Sequence, residues 1–180
     1  MASVPEYDRL EICHSPTLAG LAKASATVIW RKPDSEPEFA WEPRGFWVNE
    51  GPAFIAQAGK VFISYSAGAI VENYCIGWLY ADKESNFLDP ASWQKCAQPV
   101  FTTHRLNQQF GPGHNSFTRN EQGEEISVYH ACNDKTIEGD PLYDPNRHTR
   151  IKVFHWDDEG MPCFGEPAAD SVRPLIAPGR

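Results

Sequence analysis

The sequence predicts an all-β protein assembled from four-stranded propeller blades, and three observations carry that prediction. A pattern that opens at Glu50 recurs from Gly113: the turn glycines Gly59 and Gly123, and the alanines Ala67 and Ala131, are each 64 positions apart. A fixed period of this size marks a repeat architecture. Each copy breaks into four short segments of alternating side chains, and four-stranded sheets arranged radially are propeller blades. The 15 prolines, 13 glycines, 6 tryptophans, 6 tyrosines and 10 phenylalanines suit loop-rich β structure and suit a helical bundle poorly.

The strands of a blade are labelled A to D from the central channel outward. In the first complete blade, A is expected over Ala53–Gln57, B over Lys60–Ser66, C over Asn73–Ala81 and D near Pro99–Thr102. Strand B sets Val61, Ile63 and Tyr65 against Phe62, Ser64 and Ser66, the period of two that a strand between neighbouring blades requires. In the second blade, A is expected over Asn115–Arg119, B over Glu125–Ala131, C over Thr149–Trp156 and D near Pro162–Gly165. Upstream, Leu10–Cys13 and Ala26–Trp30 read as strands C and D of a preceding blade, with Ser15-Pro16-Thr17 as the corner between them. Pro33 to Pro43 is a proline-rich acidic connector. The organisation expected is thus 8–45 for the end of a blade and its connector, 46–104 for one blade, 105–167 for the next, and 168–180 for an irregular tail. Two blades and part of a third do not close a ring, so the chain reads as a piece of a larger propeller.

Composition narrows the functions. A length of 180 residues falls within the usual single-domain range, and a net charge of −8 argues against a nucleic-acid partner, which needs a cationic face. No run approaches the ~20 apolar residues of a membrane span. The start, Met1-Ala2-Ser3-Val4-Pro5-Glu6, shows neither the basic nor the apolar stretch of a secretory signal. Five cysteines (Cys13, Cys75, Cys96, Cys132 and Cys163) without Cys-x-x-Cys spacing argue against zinc and read mostly as buried thiols, one disulfide being left open.

Strand A begins at the top of a blade, where the D-to-A connector and the B-to-C loop also lie. Asn49 and Glu50, preceded by Phe46 and Trp47, therefore share a face with the loop 68–72. His114 and Asn115, preceded by Phe110, share it with the long loop 133–148. Glu50 has two readings. A carboxyl desolvated at an aromatic-lined channel holds its proton and serves as a general acid toward a leaving sugar oxygen; alternatively it caps loop amides around Gly51-Pro52. His114 binds substrate hydroxyls, holds a water or cation through its neutral imidazole, or is a buried histidine bonded to a carbonyl. Of Arg147 and Arg150, one is expected to reach the channel and the other to be a surface charge. His130 and His155, inside strands, are assigned to packing. Trp47 and Phe110 are assigned to sugar stacking, and Trp78, Trp93 and Trp156 to the inter-blade core.

Taken in order, Phe46-Trp47-Val48-Asn49-Glu50-Gly51-Pro52, Phe62-Ile63-Ser64-Tyr65-Ser66, Gln109-Phe110-Gly111-Pro112-Gly113-His114-Asn115-Ser116-Phe117, Gly139-Asp140-Pro141 and Asp144-Pro145-Asn146-Arg147-His148-Thr149-Arg150 resemble glycoside hydrolase family 43, in particular its α-L-arabinofuranosidase group. The resemblance runs from about Leu10 to Pro167. It implies a five-bladed propeller of which this chain is the C-terminal portion, so the fold expected is a partial five-bladed β-propeller. It implies hydrolysis of arabinofuranosides in arabinan or arabinoxylan side chains with inversion, with a plant-type oligo- or polysaccharide as partner, and neither nucleic acid nor membrane. Glu50 matches the family's general acid; Asn49, Trp47, His114 and Arg147 match its substrate-binding surroundings. His114 also matches a histidine that helps hold a structural calcium or sodium ion, and no other cofactor is implied. The family is often extracellular, which leaves the compartment open beside a start without an export signal. The base and pKa-tuning aspartates of the family belong to earlier blades, and Asp8, Asp34 and Asp82 replace neither. The isolated chain is therefore expected to be weakly active or inactive, and a catalytically dead or carbohydrate-binding remnant is the alternative.

Overall fold

The computed structural model describes residues 9–14, 25–31, 39–46 and 48–170, with side chains from residue 39 onward. The expected corner at Ser15-Pro16-Thr17, Trp47, most of the Pro33–Pro43 connector and the end of the tail lie outside the described residues. No helix among the described residues is long and apolar enough to cross a membrane.

The first two strands, β1 (Arg9–His14) and β2 (Ser25–Arg31), pair antiparallel where outer strands C and D of a preceding blade are expected. The next sheet runs β3 (Asn49–Gln57), β4 (Lys60–Ala67), β5 (Cys75–Asp82) and β6 (Gln94–Lys95) in that order, all antiparallel. The last blade is β7 (Phe110–Arg119), β8 (Glu125–Cys132) and β9 (Arg147–Val153), continued outward by the pair β10 (His155–Trp156) and β11 (Pro162–Cys163).

Both strands A open earlier than expected, at Asn49 and Phe110, and two outer strands depart further. Strand D of the first blade is not a single strand near Pro99. It pairs first at Gln94–Lys95 with Leu79 and Tyr80, then again at Phe101 with Ile76. Between them the chain stays close through Cys96 N–H to Trp78 O (3.1 Å) and Val100 N–H to Ile76 O (2.8 Å). Strand C of the second blade breaks at Phe154, whose N–H donates to Glu125 O at 3.1 Å while its side chain turns into the core.

Alternation along β4 and β5 gives the first sheet two apolar faces. Phe62, Ile76 and Trp78 face the second blade and meet Phe101, Tyr129, Phe154 and Phe164 there. Ring geometry in this seam is aromatic packing of the usual kinds, edge-on for Phe101 and Tyr129 (4.9 Å, 87°) and tilted for Phe154 and Phe164 (5.1 Å, 47°). Trp78 and Trp156 belong to the seam as expected, but Trp93 does not. It packs on the opposite face with Trp41, Tyr65, Cys75 and Leu79, its indole N–H bonded to Phe87 O.

That opposite face carries a feature the sequence does not announce. Glu42, read as part of a proline-rich acidic connector, is 1% exposed and forms an ion pair with Lys95 at 2.5 Å. The Tyr65 hydroxyl (3.1 Å) and the Phe39 N–H (3.2 Å) also donate to the Glu42 carboxylate, the extra partners a buried charge requires. The connector therefore ends in a buried plug, with Trp41 stacked on Tyr65.

The channel end of each strand A is bulged. Between Glu50 and Ala53, β3 carries one residue more than the stretch of β4 opposite, and β7 does the same between Gly113 and Ser116. The bulge residues are Gly51 and His114, both left-handed at φ 58° and 50°. Glu50 and Gly113 consequently occupy equivalent positions in consecutive blades, opposite Ser66 and His130. Bulges of this kind re-aim the neighbouring side chains, and here they do so at the site.

Candidate active site

Glu50 is half-buried and lines a cleft of about 300 Å³. One wall is the approach to β3, with Phe46 and Val48; another is the β4–β5 loop, with Ala69 and Ile70. The third is the short 3-10 turn Pro141–Tyr143 of the long β8–β9 loop, which Asp140 caps by accepting a hydrogen bond from Leu142 N–H at 3.0 Å. The start of strand A, the segment before it and two loops from consecutive blades thus meet around one carboxyl. Phe46 and Leu142 are 59% and 61% exposed, so the mouth is apolar as well as open.

The Glu50 carboxylate is held from below. Tyr74, which immediately precedes β5, donates its phenolic hydrogen to Glu50 Oε1 at 2.5 Å. Tyr74 is 1% exposed. Burial first, and then the bond to the Glu50 carboxylate, push its phenol well above the usual tyrosine range, so it remains a donor. Its ring lies flat on His130, with centroids 5.6 Å apart and planes 7° from parallel. It also covers Gly113 so closely that a Cβ there would fall 2.1 Å from Tyr74 Cε1.

The second blade supplies the rest. His114 is exposed, its backbone N–H bonded to Ser66 Oγ at 2.7 Å. Its ring covers Gly51, where a Cβ would approach within 3.0 Å. A non-glycine residue in the left-handed region costs energy that surrounding contacts must offset, and such residues concentrate at functional places. His130 sits between the two rings, 6.3 Å from His114 by centroid. Burial, the charge of Arg147 and the nearby His114 push the His130 imidazole down to about 4, so it is neutral. His130, assigned to packing, packs against the Tyr74 ring.

Arg147 opens β9 beside Tyr74 and His130, and its charge acts on both. Arg150 is not a free surface charge. It bonds to Gln109 Oε1 (3.0 Å) and Asn133 Oδ1 (2.9 Å), and pairs with Asp170 (3.0 Å). Asn49 precedes Glu50 on the strand, so it leaves the opposite face of the sheet; it is 3% exposed and, among the described residues, neither amide atom has a partner. Phe110 is 8% exposed and offers the cleft no stacking face. Trp47 lies outside the described residues.

A calcium ion calls for six to eight oxygen ligands. No three His, Cys, Asp or Glu side chains converge among the described residues, and His114 alone brings one imidazole.

Comparison with known proteins agrees with this arrangement. Residues 36–162 match the sequence pattern of glycosyl hydrolases family 43. An extracellular exo-α-(1→5)-L-arabinofuranosidase of Streptomyces avermitilis is 52% identical over 142 residues, which are 78% of this chain and 30% of that protein. An α-L-arabinofuranosidase of Humicola insolens is 47% identical over the same length, again 78% of this chain and 30% of its own. The crystal structure of an α-L-arabinofuranosidase from Lactobacillus brevis superposes with a TM-score of 0.77 at 46% identity, covering 83% of this chain and 45% of that one. The chain thus spans about 30% of the length of the curated relatives it matches. With its paired antiparallel blades, its bulged strand starts and this extent of shared sequence, the chain belongs to glycosyl hydrolase family 43.

Proposed function

We propose that this chain carries the acid half of a glycosidase site that hydrolyses arabinofuranosides with inversion, Glu50 being the general acid. The observation behind this reading is the placement of Glu50: a carboxyl on the floor of an open apolar cleft, fixed by a buried phenol. Such a group can protonate the departing oxygen of a glycoside as the bond to the anomeric carbon breaks. Phe46 and Leu142 at the mouth offer apolar surface to a sugar ring. His114 and Arg147, at the top of the second blade, contribute hydroxyl-binding groups. Trp47 is assigned to stacking, and Asn49, on the opposite face of the strand, does not line the cleft. The substrate class is an arabinofuranose-bearing oligo- or polysaccharide, in keeping with the names of the relatives. Inversion also needs a carboxylate base about 6.5–9.5 Å from the acid. Asp140, beside the cleft, is engaged in capping its turn, and the base is assigned to no described residue.

The test is Glu50→Gln in a reconstituted full-length protein that also carries the base, assayed on arabino-oligosaccharides and on an activated aryl arabinofuranoside. Loss of the acid should slow the oligosaccharide, whose leaving group needs a proton, by roughly 10²–10⁴-fold and the aryl substrate far less. Equal rates for the variant and the parent would remove Glu50 from the mechanism. If the parent chain binds arabino-oligosaccharide in calorimetry but releases no arabinose, binding rather than hydrolysis is its activity.

A further inference from the structure

The Glu50 carboxylate presents two oxygens, and the structure treats them differently. Oε1 accepts the Tyr74 hydrogen at 2.5 Å, a length typical of a charge-assisted bond between a hydroxyl and a carboxylate. Oε2 has no hydrogen-bond partner among the described residues. Tyr74 cannot swing away to release Oε1. One face of its ring is pressed on His130 and its edge fills the space above Gly113, where any side chain would collide. The Ser66 hydroxyl, next to this group, accepts the His114 N–H and also hydrogen-bonds to the Tyr74 phenol. The phenol is thus clamped by residues of the next blade and points at the acid from a fixed position.

We propose that Tyr74 is a positioning residue for the acid: it binds Oε1 of Glu50 and so makes Oε2 the oxygen that carries the proton to the leaving group. This rests on the reading of Glu50 as general acid and adds the residue that orients it. In the step, the proton on Oε2 passes to the glycosidic oxygen as the C–O bond breaks, and the electron pair of that bond leaves with the oxygen. Glu50 is left as a carboxylate with Oε1 still bonded to the neutral phenol, so Tyr74 neither gains nor loses a proton. A freely rotating carboxylate would spread its proton over two oxygens and several orientations, and fixed geometry is a large part of what a site contributes.

The experiment is Tyr74→Phe in the full chain, with the side-chain carboxyls of glutamate labelled with carbon-13. The Glu50 resonance is identified by its disappearance in Glu50→Gln. Phenylalanine keeps the ring over Gly113 and on His130, so unchanged ring-proton shifts of His130 show that the fold around the site is intact. At neutral pH the Glu50 carboxyl resonance is expected to move on Tyr74→Phe. In a reconstituted full-length protein that also carries the base, the turnover number on arabino-oligosaccharide should fall roughly ten- to a hundredfold with little change in KM, as loss of one hydrogen bond to a charged group implies. The aryl substrate, which needs little proton donation, should be nearly unaffected. An unmoved carboxyl resonance, or equal losses on both substrates, overturns the proposal. A resonance that moves on Tyr74→Phe while Glu50→Gln leaves hydrolysis intact instead overturns the reading of Glu50, the Tyr74 contact standing without a catalytic purpose.

Discussion

Burial, the guanidinium of Arg147 and the imidazole of His114 lower the His130 ring from an ordinary 6.5 to about 4 in the folded protein. As pH falls below 6.5 the unfolded chain takes up a proton at this residue before the folded one does, so the balance shifts toward unfolding. The contribution is complete above 6.5 and is lost progressively as pH falls toward 4. Urea midpoints measured at pH 6.5 and 5.0, above the ordinary carboxylate range, should drop for the parent and drop less for His130→Phe. An equal drop would place the acid sensitivity elsewhere. The residue scale is also where the sequence is least informative. Glu50 stands out beside its Gly-Pro turn and a line of aromatics, but nothing near Tyr74 in the chain marks it. Its bond to Glu50 spans 24 positions, and its support from Gly113 and His130 comes from the following blade. A lone tyrosine ahead of a strand carries no periodic signal that could have found it.

Strands are legible to the degree that their own side chains alternate. β4 and β8 fall almost where the period of two places them because both are inner strands covered on each side. The outer strand of the first blade is different, since it holds its neighbour by two short stretches around Cys96, whose sulfur accepts the Trp78 N–H at 3.1 Å. Pairing that skips residues leaves no pattern to read. The paired bulges at Gly51 and His114 were visible only as a repeat of position, not as backbone geometry. They bring Gly113 under Tyr74, which yields a prediction for this element. Gly113→Ala would place a methyl 2.1 Å from a ring that cannot retreat, and should cost about 1–3 kcal/mol of unfolding free energy in urea denaturation. The same variant should shift the Glu50 carboxyl resonance, because the ring and its hydroxyl move together. Stability equal to that of the parent would show that Tyr74 has freedom its packing denies.

At the scale of the molecule, the 64-residue spacing of turn glycines and alanines is the clearest signal in the sequence, and it reports two blades docked side by side. What spacing does not report is which aromatics lie between them. Trp93 has the same chemistry as Trp78 but follows an Asp-Pro corner on the outer edge, so it turns to the face that holds Trp41 and the Glu42–Lys95 pair. In the seam itself Phe164 touches Trp78, Phe101, Phe117 and Phe154. Phe164→Ala should cost about 3–5 kcal/mol, read from the urea midpoint, and a loss below about 1 kcal/mol would show that the joint closes over the gap. The joint has a further significance. Glu50 and Tyr74 stand on one bank of it, Gly113, His114 and His130 on the other, so the surroundings of the Glu50 carboxyl are assembled by docking and not by either sheet alone. Warming that parts the two banks without melting their ladders would unfasten the Tyr74 ring from its support while the circular dichroism of the strands stayed whole, and the cleft would come apart before the sheets did.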